Sequence, residues 1–163
     1  MEKRYELDIK ITTKDLFSFM IHHSNTSFSG IFGLILSVGA LILLFTGYAQ
    51  GNDMGNLVLL FLGLCFTVIN PLTMYKKAMD QVKNNPMYRD ELHYVLDETG
   101  VSLVKENKTE SIEWERILKF KKTKRVFALY TTGVHAVILP TEGFEGQREE
   151  VETFIRSKVK GKK

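Results

Sequence analysis

Few side chains in this sequence have the types and spacing that catalysis needs. His22 and His23 are adjacent, and adjacent residues on a helix point about 100° apart, too divergent to close easily on one metal ion. His93 and His135 have no paired ligand spacing and read as ordinary strand residues. The one cysteine, Cys65, lies inside an apolar run, which excludes an intramolecular disulfide and a cysteine-based metal site. No Gly-rich phosphate loop follows a strand, and neither His-Glu-x-x-His nor Gly-x-Ser-x-Gly occurs. No catalytic residue, metal site or cofactor is expected, and the chain reads as a non-enzyme.

Binding is the better-supported chemistry. Lys119, Lys121, Lys122, Lys124 and Arg125 cluster around one expected hairpin, and Arg156, Lys158, Lys160, Lys162 and Lys163 form a second basic group at the C-terminus. Near an anionic leaflet each basic residue gains about 1 kcal/mol, so these side chains are candidates for contact with lipid headgroups or with a protein partner. The alternative is a solvated mixed-charge face, because Glu98, Glu106, Glu110, Glu113 and Glu115 are close in sequence and the net charge is only +3. Nucleic acid is not an expected partner, since Phe120 and Phe127 fit a core pattern at least as well as a stacking platform. Trp114, alternating with Ile112, reads as a core anchor on a strand whose N–H finds a nearby acceptor.

The strongest patterning belongs to the elements that would hold such a surface at a membrane. No charged side chain occurs between Ser24 and Asn52 or between Met54 and Tyr75. A membrane helix needs about 20 apolar residues, and each run suffices, so a two-helix transmembrane hairpin is expected with the short link Gly51–Gly55 at its tip. The first run begins too late and continues too long for a cleaved signal. Gly33, Ser37 and Ala40 recur at helical spacing, as do Gly63 and Thr67, which lets helix backbones approach closely; packing within the hairpin is the first expectation and a homo-oligomer the second. Asn70-Pro71 predicts a kink or helix end. Neither span carries a mid-depth charge, the usual mark of a transport path. Lys3, Arg4, Lys10 and Lys14 precede the hairpin, and Lys76, Lys77 and Lys83 follow it, so both termini are expected in the cytoplasm.

Outside the hairpin the period changes. Tyr5, Leu7, Ile9 and Ile11 alternate with polar residues as in a strand, and Thr13 is placed to cap a following helix. A lone strand is not stable, so this one is expected at the edge of a sheet formed by the C-terminal half. Short alternating runs from Leu92 to Leu139 predict an antiparallel sheet or small barrel with turns at Thr99-Gly100 and Asn107-Lys108. Val151, Phe154, Ile155 and Val159 form a helical stripe, with Glu149, Glu150 and Glu152 early and Arg156, Lys158 and Lys160 late, as the helix dipole favours. The expected layout is residues 1–23 as strand and amphipathic helix, 24–83 as hairpin with a cytoplasmic extension, and 84–163 as a cytoplasmic domain. The fold class is an α+β membrane protein whose soluble part is a pleckstrin-homology-like antiparallel barrel or sheet capped by a C-terminal helix.

The order of an N-terminal strand, a membrane hairpin, Asn84-Asn85-Pro86, Leu96-Asp97-Glu98-Thr99-Gly100-Val101, Ile112-Glu113-Trp114-Glu115-Arg116-Ile117-Leu118-Lys119, Leu129-Tyr130, and Ala136-Val137-Ile138-Leu139-Pro140 with Phe144 resembles the YcxB-like bacterial membrane proteins. The most specific part is the Ile-x-Trp-x-x-Ile-x-Lys run followed by Ile-Leu-Pro; where basic residues are expected after that proline, this chain has Thr141-Glu142. The resemblance implies a bacterial inner-membrane location and a cytoplasmic domain similar to bacterial pleckstrin-homology domains, and it carries over no catalytic residue. The expected function is a membrane-anchored, non-catalytic interaction or regulatory protein that meets an unidentified protein partner or the anionic leaflet. The alternative is a small oligomeric transporter or pore built from several hairpins.

Overall fold

The computed structural model describes residues 3–48, 51–88, 90–105, 108–144 and 146–159. Two compact units emerge. One joins the N-terminal segment through Phe19 to the segment from Asp80 onward, and the other is Met20–Met79.

In the second unit, helix α2 (Phe28–Phe45) opens at Ser27, whose hydroxyl accepts from the Gly30 N–H at 3.1 Å. Helix α3 (Asp53–Leu64) opens at Asn52, whose side chain accepts from the Gly55 N–H at 3.0 Å. Both caps satisfy amides that a helix start leaves without partners. Helix α3 passes through a π-helical turn (Cys65–Ile69) into α4 (Asn70–Asn84). The irregularity therefore precedes Asn70-Pro71 by one turn. Pro71 has no N–H to give the preceding turn and its ring crowds the carbonyl four residues back; a widened turn there accommodates it without ending the helix. Phe28–Phe45 and the continuous helical stretch Asp53–Asn84 are each long and apolar enough to cross a membrane, which supports a two-pass topology.

In the first unit, β1 (Tyr5–Ile9) is followed by α1 (Thr13–Thr26), whose opening turns belong to this unit. The cap is Thr12 rather than Thr13: the Thr12 N–H donates to the Asp15 carboxylate at 3.1 Å and the Asp15 N–H donates to the Thr12 hydroxyl oxygen at 3.4 Å, the reciprocal arrangement of a capping box, and the Thr12 hydroxyl donates to the same carboxylate at 2.5 Å. After α4 come β2 (Leu92–Leu96), β3 (Gly100–Lys105), β4 (Lys108–Glu113), β5 (Lys119–Lys122), β6 (Val126–Tyr130), β7 (Ala136–Pro140) and helix α5 (Arg148–Val159). Asn107, expected in the turn between β3 and β4, lies outside the described residues.

The strands form two antiparallel sheets, one in the order β1-β2-β3-β4 and one in the order β5-β6-β7. No sheet closes into a barrel, which corrects the closed pleckstrin-homology-like barrel expected from the sequence. The chain passes from the first sheet to the second at Trp114. Alternation with Ile112 suggests that the strand continues, but β4 ends at Glu113 and Trp114–Arg116 forms a 3-10 turn. The Trp114 indole N–H donates to the Asp97 carbonyl at 2.8 Å and its ring meets Phe154 edge-on at 5.8 Å. The ring is anchored in the core, as its sequence pattern implies, while the chain leaves the first sheet to begin the second. Among the described residues β1 and β4 are the edges of the first sheet and β5 and β7 those of the second, each paired on one side only.

Register places Leu7, Tyr94, Leu103 and Glu110 in one row across the first sheet, and Tyr5, Leu96, Val101 and Ile112 in the next. Helix α5 buries Val151, Phe154 and Ile155, and Phe154 lies 5.3 Å from the Tyr5 ring. Every residue of β6 is buried. Its Phe127 packs on Phe120 and Phe144, while Tyr130, which faces the opposite side of the sheet, meets Phe19 of α1 at 5.9 Å.

Candidate functional site

The missing closure of the sheets leaves a cleft of about 400 Å³ lined by Met87, Tyr94, Val101, Leu103, Glu110, Ser111, Ile112 and Val137. Its floor is the inner face of β2 and β3, and one wall is the edge strand β4. Val137 of the other edge strand reaches it because it shares a face of the second sheet with Phe127, Leu129 and Leu139. Met87 comes from the 3-10 turn Pro86–Tyr88 after α4. The lining is mainly apolar, with a polar spot where the row Leu7–Tyr94–Leu103 ends in the exposed Glu110. Burial pushes the Tyr94 hydroxyl up to about 12, and the negative charges of Tyr88 and Glu110 push it the same way. Tyr94 therefore stays a protonated hydrogen-bond donor across the physiological range.

The basic residues singled out in the sequence separate into two groups. Lys122 pairs with Glu152 at 2.8 Å, and Arg156 pairs with the same carboxylate at 2.8 Å and lies 5.0 Å from the Phe120 ring centre. The hydrogen bond from Lys122, reinforced by Arg156, holds the Glu152 carboxyl below its ordinary range. Lys158 pairs with Glu98 and lies over the Phe154 ring. Arg125 donates to Asp15 at 3.0 Å and to Glu142 at 2.8 Å. These four tie elements of the unit together. Lys119, Lys121 and Lys124 have no carboxylate within ion-pair distance among the described residues, and Lys119 and Lys121 share one face of β5. Lys160, Lys162 and Lys163 lie outside the described residues.

The small residues of the hairpin are engaged with each other's helices. A side chain added at Gly33 would meet the Phe66 ring at 2.3 Å, and one at Gly63 would meet Leu41 at 2.5 Å. The buried Ser37 hydroxyl donates to the Leu62 carbonyl at 2.7 Å and accepts from the Phe66 N–H at 3.2 Å. It stands between the donor and acceptor of one α-helical step, a cause of local helix distortion, and the π turn begins at this point. Thr67 donates to the Gly63 carbonyl at 2.5 Å, and Ala40 is buried.

Sequence reasoning misses two features. In the sequence Asp15 is only a first-turn acid, yet it is 1% exposed and holds both the helix cap and Arg125. The cleft joins Met87, Tyr94, Ile112 and Val137, which no local pattern connects; the one available hint is the acidic Glu110 in an otherwise apolar row. His93, an ordinary strand residue by its sequence, sits 2.7 Å from Asp8 across the β1–β2 pair. Among the described residues no group of three or more His, Cys, Asp or Glu side chains is arranged to hold a metal ion.

No curated protein and no solved structure matches the chain. Residues 96–155, from the end of β2 through most of α5 and including the β4 edge, the Trp114 turn and β7, match the family model described as YcxB-like protein, and the chain is similar to that family over this stretch.

Proposed function

We propose that the chain is a membrane-anchored interaction protein without catalytic activity, whose β-sheet unit binds a protein partner in the cytoplasm. The observation that carries this reading is the mainly apolar cleft bordered by β4 and β7, each an edge strand of its sheet among the described residues. Clefts of this kind, apolar with a few placed polar groups, are where proteins take ligands and partner segments. The cytoplasmic placement of both termini rests on the lysines and arginines that flank the hairpin. The strand order of four then three followed by one helix supports a pleckstrin-homology-like relationship in an open form.

Photo-crosslinking residues placed at Ile112 and Val137 in living cells test the proposal. The expected result is one dominant trapped protein; a uniform background at these positions and at the other exposed strand positions of the unit overturns it. Contact with the anionic leaflet is the second reading, carried by the three lysines without carboxylate partners. It predicts that Lys119→Glu, Lys121→Glu and Lys124→Glu together reduce crosslinks to anionic lipid, while Lys122→Ala does not. An oligomeric pore has less support, because Gly33, Ser37 and Gly63 are taken up in packing within one hairpin.

A further inference from the structure

We infer that the cleft takes an extended, basic segment of a partner protein, added as a strand along the free edge of β4. This rests on the interaction reading above and names the kind of partner.

The backbone supplies the first argument. Among the described residues β4 pairs with β3 alone. The Trp114 N–H donates to the Thr99 carbonyl at 3.2 Å, which makes residues 99 and 114 a hydrogen-bonded pair in the register that sets Gly100 opposite Glu113. Bonded and non-bonded pairs alternate in an antiparallel ladder. Ile112 and Glu110 therefore turn their amides and carbonyls toward β3, and Thr109, Ser111 and Glu113 turn theirs outward. An outward row of donors and acceptors at every second residue is met by an extended chain, not by a helix or an acyl chain.

Side chains supply the second argument. A strand laid on this edge sends alternate side chains inward over Ile112 and Tyr94 toward Val137, which gives it apolar residues at every second position. Charge supplies the third. Glu110, Glu113 and Glu115 are exposed on or just after β4, and none has a basic partner among the described side chains. Like charges directly opposite each other on paired strands are unfavourable. A second copy of β4 would add its own glutamates to this edge, so the complementary occupant is a different segment carrying lysine or arginine between its apolar residues, on the outer face that Glu113 shares with Thr109 and Ser111.

The test uses the whole chain in nanodiscs of zwitterionic lipid, with empty nanodiscs as the control. The probes are an acetylated heptapeptide alternating valine with lysine and its counterpart alternating valine with glutamate. The expected result is binding of the basic peptide at least tenfold tighter than the acidic one, with slowed amide exchange at Thr109, Ser111 and Glu113 and no change at Ile112. Ser111→Pro removes an outward donor and is expected to weaken binding at least tenfold. A basic peptide N-methylated at alternate residues makes the same test without altering the protein. Three results overturn the inference: no binding of the basic peptide at millimolar concentration, binding without slowed exchange along β4, or binding of the N-methylated or the acidic peptide equal to that of the unmethylated basic peptide. In cells, a partner trapped only from positions away from Ile112 and Val137 overturns this inference and leaves the interaction reading standing; trapping from no position overturns both.

Discussion

Replacing Ser37 with alanine is a sharp test of how the hairpin is held together. The hydroxyl is 2% exposed and makes two hydrogen bonds to the facing helix, one to the Leu62 carbonyl and one from the Phe66 N–H. Hydrogen bonds between membrane helices average about 0.6 kcal/mol and reach about 1.7, so losing both costs about 1–3 kcal/mol if the π turn persists. The helix has a second course. With the intruding oxygen gone, the Phe66 N–H can return to the Leu62 carbonyl, the extra residue of the turn is absorbed, and the part of α4 from Asn70 to Met79 rotates by about 100° relative to the preceding helix. That limits the energetic loss and changes the geometry instead. Equilibrium unfolding of the whole chain in mixed detergent micelles reads the first outcome, and spin-label distances between α2 and positions in α4 before Asp80 read the second. Gly39→Ala is the control, because a side chain there meets nothing within 4 Å. If Ser37→Ala matches Gly39→Ala in both stability and distances, the hydroxyl neither holds the hairpin nor causes the π turn.

Three further outcomes follow from the β-sheet unit. Gly100→Ala places a methyl 2.2 Å from the Ile112 carbonyl oxygen, a clash with backbone; it is expected to cost about 2 kcal/mol or more by thermal unfolding. Asp15→Asn removes the charge held by Thr12 and Arg125; loss of the cap alone costs about 1 kcal/mol, and a double-variant cycle with Arg125→Met is expected to show non-additive losses. Burial of Tyr94 gives a pH test with a defined sign. Its folded value is about 12 against an ordinary 10.0, so its contribution is fully present below pH ~10 and is lost as pH rises toward ~12, with a slope of about 1.4 kcal/mol per pH unit. Tyrosinate absorbance and unfolding over that window check it, and Tyr94→Phe is expected to flatten the decline.

Much of the local structure is legible because period and element agree. Alternation at Tyr5–Ile9 and at Leu92–Leu96 gives strands, and the stripe of Val151, Phe154 and Ile155 gives α5. What fails is continuity. Ile112 and Trp114 have the spacing of one strand face, but the indole needs both a core position and the Asp97 carbonyl, and that demand bends the chain into a 3-10 turn. Charge is legible as composition and not as long-range pairing: Lys122 meets Glu152 because β5 lies against α5, a relation between residues 30 positions apart, whereas Arg156 meets the same carboxylate from one turn along its own helix. The cleft is hidden for the same reason, since its two edge strands are separated by the whole of the second sheet's hairpins. In the sequence Ser37 is merely small, and the π turn its hydroxyl enters has no sequence signature of its own.

The pairing of β1 with β2 imposes a rule of parity. Ile9 lies opposite Leu92 and Tyr5 opposite Leu96, and strands joined by a backbone ladder must occupy the same aqueous compartment. The chain between them must therefore cross a bilayer an even number of times, as two spans do and one or three cannot. The same pairing sets an order of events during synthesis. β1 is made first, yet its partner emerges only after both apolar helices, so insertion of the hairpin precedes completion of the first sheet. A chain whose second span fails to insert leaves β2 on the opposite side from β1, with an unpaired strand on each face of the membrane. The ladder thus excludes a half-inserted hairpin: the folded sheet exists only in chains whose two spans share one fate.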